Sequence, residues 1–307
     1  MSRFGYRHGV AGVDPACRKL AWAVVVSSTA VQPILALLSD APGGDPTQYM
    51  AEKAFAHHRL DWRYLTFEVP PEALGDAVRG VRALGFRGAH CAGQHRRTVV
   101  PLLDRLTDKA EQIGAVNVIL REERLLVGAN TEGRGLLEAL GRAGDPAGKR
   151  VVLLGAGKVA RAVAVELAAA GVGRLAIVNR TELHARQLAD LVAEQYATEA
   201  TTTAWTGDYA PPPETDVVVH ATPFGHEDPE APLALDLADL SPQALVADLT
   251  WDVPQTWLLR EAGRRGCRTL AGLEMYIEQV AAAITLWTDV VPDRDVMREA
   301  AEEFLEL

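Results

Sequence analysis

The stretch Val151-Val-Leu-Leu-Gly155-Ala156-Gly157-Lys158-Val159-Ala160-Arg161 decides the fold. Four apolar residues predict a short buried strand. A glycine turn follows, then the start of a helix. Gly155 permits a tight turn, Gly157 lets backbone approach a pyrophosphate, and Ala160 lets the helix pack close to its strand. The free N–H groups at the helix start are suited to hold phosphates. A second strand is expected at Leu175–Val178, ending at Asn179-Arg180-Thr181, where an adenosine ribose lies in such folds. An acid at this point accepts from a ribose 2′-hydroxyl, whereas Arg180 suits a 2′-phosphate through charge-assisted hydrogen bonds. The stretch therefore predicts a Rossmann-type domain that binds NADP(H) rather than NAD(H).

Outward from this turn, strand and helix alternate. Strands are expected at Trp62–Val69, Ala89–Ala92, Gly114–Leu120 and Leu125–Asn130. Helices are expected at Gln48–His58, after Pro70-Pro71-Glu72 and over Thr98–Ile113. This alternation implies an α/β fold with a mostly parallel first sheet. Later strands fall at Asp216–His220, Ala244–Leu249 and Arg268–Ala271, and helices at His184–Tyr196, Leu258–Gly266, Leu273–Trp287 and Asp293–Leu307. The long amphipathic helix from Leu273 follows the nucleotide-binding part and is expected to return to the first one.

The chain has 307 residues, 48% of them apolar, enough for about two domains. Its 31 basic and 41 acidic residues give a net charge of −10, which disfavours nucleic acid and anionic membrane as main partners. Cys17, Cys91 and Cys267 are scattered and odd in number, pointing to a reduced cytoplasmic protein without a disulfide framework or metal knuckle. The adjacent pair His57-His58 points in two directions on a helix and makes a poor chelate, so no metal is expected. Leu20–Leu38 lacks charge, but Ser27-Ser28-Thr29, Gln32 and Pro33 interrupt it. It reads as a buried strand at Trp22–Val26, then a loop and a helical turn, rather than a membrane span or signal peptide.

Seven segments in register resemble the shikimate/quinate dehydrogenase family: Gly114-Ala-Val-Asn117, Asn130-Thr-Glu-Gly133, Gly155-Ala-Gly157, Asn179-Arg-Thr181, Ala221-Thr222, Asp248-Leu249-Thr-Trp251, and Gly272-Leu-Glu-Met275 followed by Gln279. The resemblance implies a substrate domain of residues 1–131 with 273–307 and a Rossmann NADP-binding domain of residues 132–272. It implies a monomer or homodimer, a cleft for a small, cyclic acid, and hydride transfer between NADP(H) and a hydroxyl or ketone, as in aromatic amino acid biosynthesis. Asn117, Trp251 and Gln279 fall on its substrate-binding positions. Gly155, Ala156, Gly157, Lys158, Val159, Asn179, Arg180, Thr181, Thr222, Leu249 and Gly272 fall on its cofactor-binding positions.

The departures lie in the substrate site. Counting back from Gly114, Arg96 stands at the family's catalytic lysine and Ala92 at a substrate-binding threonine. Glu132 replaces the catalytic aspartate, and Trp251 a tyrosine. Ala30-Val-Gln-Pro33 is read at the place of the family's N-terminal Ser-Lys-Ser-Pro element, without its hydroxyls. Arginine holds its proton at all ordinary pH, so Arg96 can stabilise an oxyanion but not exchange a proton. Glu132, or His95 beside Arg96, is then the candidate base. These changes imply an NADP-dependent oxidoreductase with an altered substrate pocket. A non-catalytic dinucleotide-binding homologue, and a shikimate or quinate dehydrogenase working with an Arg/Glu pair, are the alternatives.

Overall fold

Two six-stranded sheets organise residues 31–307, the part of the chain that the computed structural model describes. Pro33–Leu307 form one compact unit. The expected strand at Trp22–Val26 lies outside the described residues. The first strand seen is β1 (Ile34–Ser39), in residues expected to be loop and helical turn. The correction has a simple cause: Ile34-Leu-Ala-Leu-Leu is an uninterrupted apolar run. It pairs in parallel on both edges and buries both faces, Leu35 and Leu37 in one apolar cluster and Ala36 and Leu38 in another.

The first sheet continues through α1 (Thr47–His57), β2 (Arg63–Glu68), α2 (Leu74–Ala83), β3 (Gly88–Cys91), α3 (His95–Thr98), β4 (Arg105–Leu106), α4 (Asp108–Ile113), β5 (Val118–Glu122) and β6 (Leu125–Ala129). Its order is β2-β1-β3-β5-β6-β4. The expected helix over Thr98–Ile113 is broken. Pro101 lies in a 3-10 turn, and Asp104 accepts from the Leu126 backbone N–H, which draws β4 alongside β6. Thr107 then caps α4 by accepting from the Ala110 N–H. The sheet is also less parallel than expected: β5 pairs antiparallel with both β3 and β6. The turn joining β5 to β6 is too short for a parallel crossover, and Glu123 takes a left-handed conformation in it.

The second sheet is wholly parallel. It is built from α5 (Glu132–Gly141), β7 (Arg150–Leu154), α6 (Lys158–Ala169), β8 (Arg174–Asn179), α7 (Glu182–Gln195), β9 (Glu199–Ala204), β10 (Val217–His220), β11 (Leu245–Asp248), α8 (Trp257–Arg264) and β12 (Arg268–Leu270). The order β12-β11-β10-β7-β8-β9 is the doubly wound arrangement, with its switch point between β7 and β10. Chains leave these two strands in opposite directions, which opens a crevice at their carboxyl ends.

Helix α9 (Gly272–Thr288) joins the halves. Met275 packs in the core of the second sheet, while Leu273, Tyr276, Ile277, Val280 and Ile284 pack with Leu35, Leu37, Met50 and Phe55. The last helix, α10 (Arg294–Leu305), adds Met297, Ala300 and Ala301 to that second cluster. Two glycines set the approach of α5. A Cβ on Gly133 would meet the Ala162 carbonyl oxygen at 2.1 Å, and one on Gly135 the Met275 carbonyl oxygen at 2.6 Å. Gly135→Ala is expected to cost about 1–3 kcal/mol in urea unfolding through overpacking. Gly141→Ala, on the same helix with open space around it, is expected to be neutral or up to about 1 kcal/mol stabilising.

Candidate active site

A cleft of ≈ 700 Å³ lies between the two sheets. The crevice at the switch point forms one wall. Gly155 has φ +117°, and a Cβ there would meet the Ala221 carbonyl oxygen at 2.7 Å, so the loops after β7 and β10 touch. Gly157 is the N-cap of α6, extended, with no side-chain cap and open space beside it. Its helix therefore presents unpaired backbone N–H groups to the cleft. Ala156, Gly157, Lys158, Val159, Thr222, Leu249 and Gly272 line the cleft, joined by His184 and Gln187 of α7. Gly155 lies just behind this lining. Asn179, Arg180 and Thr181 sit at the end of β8, outside it, with Arg180 exposed and the Asn179 amide donating to the Thr181 carbonyl.

The opposite wall comes from the first sheet. Arg96, on α3, and Glu132, the first residue of α5, meet as an ion pair at 2.9 Å. The Glu132 side chain is 2% exposed and that of Arg96 23%. The Asn130 side chain fixes the start of α5 by accepting from the Glu132 N–H, and the helix N-terminus favours a carboxylate at this position. Asn117 does not line the cleft. It is buried, and both ends of its amide bond to Thr131: the Oδ1 accepts from Thr131 N–H and the Nδ2 donates to its hydroxyl. His95 is fully buried, with its Nε2 at 2.7 Å from the Val69 carbonyl oxygen, and it does not line the cleft. Lys158 crosses the cleft to donate to the Gly93 carbonyl oxygen. Burial, and then the charges of Arg96 and Arg97, hold its amine below the ordinary lysine value.

Trp251 and Gln279 line the cleft. Tyr276, Met275, Arg97 and Arg161 line the cleft as well, and sequence reasoning missed them. Gly272, Met275, Tyr276 and Gln279 share the three-and-four spacing of one helix face, the signal that could have found Met275 and Tyr276. Of the expected Ala30–Pro33 element, Ala30 lies outside the described residues, and the polar residues bonded to Tyr276 come from after β1. Pro33 precedes β1 at the far end of the strand, whereas Asp45 and Thr47 both bond to Tyr276. Behind Thr222, His220 is buried between Asp248 and the Thr222 hydroxyl, at 3.1 and 2.6 Å. Burial alone would raise the Asp248 carboxyl. Hydrogen bonds from His220, Thr256 and Thr250 outweigh burial and hold it below the usual value.

Three family models match the chain in order. The shikimate dehydrogenase substrate binding domain covers residues 47–119, shikimate / quinate 5-dehydrogenase covers 138–226, and the shikimate 5′-dehydrogenase C-terminal domain covers 272–302. The shikimate dehydrogenase (NADP(+)) of Moorella thermoacetica is 42% identical over 273 residues, 84% of this chain and 91% of that protein. The chain belongs to the shikimate dehydrogenase family. The corresponding enzyme of Desulforamulus reducens is 39% identical over 258 residues, 81% of this chain and 87% of its own. Among solved structures, the ligand-free 5-ketofructose reductase of Gluconobacter sp. strain CHM43 superposes with a TM-score of 0.87 at 36% identity, covering 89% of this chain and 99% of that one. Shikimate 5-dehydrogenase of Thermus thermophilus, in complex with NADP(H) and shikimate, gives 0.78 at 32% identity, over 89% and 100% of the two chains.

Within this family member, the strand beneath Arg96 carries a buried titratable group. His90, on β3, has its Nδ1 at 2.5 Å from the Tyr64 hydroxyl. Burial, and then the Arg96 charge, lower it from 6.5 to about 3. The unfolded chain therefore binds the extra proton more readily. The stability His90 contributes is complete above pH 6.5 and is lost as pH falls toward 3, by up to about 1.4 kcal/mol per pH unit. His90→Asn is expected to flatten the decline of the urea midpoint between about pH 6 and pH 4.

Proposed function

We propose that this chain is an NADP-dependent oxidoreductase that interconverts a hydroxyl and a ketone on a small polyhydroxylated substrate, with Arg96 and Glu132 as its catalytic pair. The Arg96–Glu132 ion pair at the junction of the nucleotide crevice and the substrate end carries this reading. We divide the chain accordingly into a substrate domain, residues 1–131 with 273–307, and a nucleotide domain, residues 132–272.

The residues present suit NADP(H). Gly157 leaves room beside the uncapped start of α6 for a pyrophosphate, and Arg180 stands where a 2′-phosphate needs a cation. Lys158, Val159, Thr222, Leu249 and Gly272 complete the cofactor wall, with Asn179 and Thr181 shaping the β8 end. Relatives named as NADP(+) enzymes support the same cofactor. The bound cofactor supplies or accepts the hydride.

The chain's own residues do the rest. The Arg96 guanidinium hydrogen-bonds the reacting oxygen and holds charge that develops on it. It keeps its own proton, so the hydroxyl proton passes to a Glu132 carboxylate oxygen. In the oxidative direction Glu132 would take the O–H proton as the C=O bond forms and the C–H hydride leaves, the hydride being what a bound NADP⁺ would accept. Asn117 keeps Thr131 and the start of α5 in place. Trp251, Gln279 and Tyr276 bound the substrate.

NADPH titration with nicotinamide absorbance assays on a panel of polyhydroxylated acids and ketones tests this reading. NADPH is expected to bind at least about tenfold tighter than NADH, and Arg180→Ala to weaken NADPH binding about 10- to 100-fold with little effect on NADH. Glu132→Gln is expected to lower kcat by about 10²- to 10⁴-fold while leaving NADPH affinity unchanged. Absence of NADPH binding, or full turnover by Glu132→Gln, would overturn the proposal.

A further inference from the structure

Basic side chains outnumber acids in the cleft. Among the described residues that line it, Arg96, Arg97, Lys158 and Arg161 are basic, and Glu132 is the one carboxylate. The chain as a whole has a net charge of −10, so the cleft runs against its average. Glu132 is already paired with Arg96. That leaves Arg97, Lys158 and Arg161, and among the described residues no carboxylate forms an ion pair with any of them.

These three residues come from opposite walls. Lys158 is the first residue of α6, and Arg161 lies in the first turn of the same helix. Arg97 stands on α3, in the half built on the first sheet. The Lys158 amine donates to the Gly93 carbonyl oxygen, which ties the start of α6 to the segment leading into α3. Arg161 donates twice to the Gln112 carbonyl oxygen. The Arg97 side chain has no hydrogen bond or ion pair among the described residues, yet it is close enough to act on both neighbours. Burial, and then the charges of Arg96 and Arg97, lower the Lys158 amine; burial, and then Arg97, lower the Arg161 guanidinium. Like charges gathered without a counterion repel one another, and an anion placed among them is attracted by all of them.

Resting on the NADP(H) reading of the cleft, we propose that Arg97 is a cofactor-binding residue supplied by the first sheet, holding the diphosphate of the dinucleotide from the side opposite the start of α6. Gly157 caps that helix without a side chain and leaves open space beside it. A diphosphate there meets backbone N–H groups on one side. On the other it meets the Arg97 fork, whose paired N–H groups match phosphate oxygens. The 2′-phosphate is met separately by Arg180, at the end of β8. Arg96 and Arg97 are consecutive on α3 and point in different directions, so Arg96 serves Glu132 while Arg97 is left for the phosphates. A bound dinucleotide then holds α3 against α6, and with it the Arg96 guanidinium.

Calorimetric titration of the full chain with NADPH, NADH, ADP-ribose and adenosine 2′-monophosphate tests the proposal. ADP-ribose has the diphosphate without nicotinamide or 2′-phosphate, and adenosine 2′-monophosphate has the 2′-phosphate without the diphosphate. Arg97→Gln is expected to weaken NADPH, NADH and ADP-ribose by a common factor of about 10- to 100-fold, and to change adenosine 2′-monophosphate by less than about threefold. Its urea midpoint is expected to match or exceed that of the wild type, because the substitution removes a repelling charge and breaks no bond. The proposal is overturned if Arg97→Gln binds ADP-ribose as tightly as the wild type, or if adenosine 2′-monophosphate weakens as much as ADP-ribose. A loss confined to shikimate, titrated at saturating NADP⁺, would place a substrate anion at Arg97 and overturn it too. Failure of the underlying reading shows separately, as a wild-type chain that binds neither NADPH nor ADP-ribose.

Discussion

A buried carboxylate met by a single arginine governs this molecule. Glu132 is almost wholly removed from solvent, and a lone buried charge of that kind would be strongly destabilising. Three features make it tolerable: the Arg96 guanidinium, the positive end of α5, and the Asn130 side chain holding the helix start. Arg96 comes from one part of the chain, and Asn130 and the start of α5, two residues apart, from another. Arg96 follows β3, Asn130 follows β6, and α5 is fixed by contacts through Gly133 and Gly135 to the nucleotide-side helix α6 and to α9. The pair can therefore exist only when both sheets and the returning helix are assembled, and it stands where their surfaces meet.

The same constraint divides labour along the cleft. Backbone N–H groups, Lys158, Arg161 and exposed Arg180 make the nucleotide side positive. Glu132 pairs with Arg96 on the opposite wall. Behind the crevice, Asp248 and His220 hold Thr222 through a buried hydrogen-bond chain, so the loop after β10 is fixed by polar contacts as well as by packing.

Much of this was legible in the sequence, for identifiable reasons. The glycine turn and its flanking strand announce themselves because backbone geometry there admits few residues. Arg96 and Glu132, read from two separate motifs, meet as an ion pair. Other parts were hidden. β1 has no alternation to read because both its faces are buried. The helix expected over Thr98–Ile113 failed on Pro101 and on Asp104, whose partner Leu126 is distant in sequence. The polar turn Asp45–Thr47 reads as a plain loop, and only its bonds to Tyr276, more than two hundred residues on, give it a place beside the cleft. Tyr276 itself passes for one more apolar residue on α9, since its ring packs in the core and only its hydroxyl is chemically informative.

The central claim is that Arg96 and Glu132 stand at the reacting end of a bound nicotinamide. Diffraction from crystals grown with NADP⁺ tests it most directly. The account predicts a pyrophosphate on the N–H groups of Gly157 to Val159, a 2′-phosphate at Arg180, and a nicotinamide ring beside Gly272 and Met275 with its open face toward the ion pair. A nicotinamide turned away from Arg96 and Glu132, or kept out of the cleft by them, would contradict it.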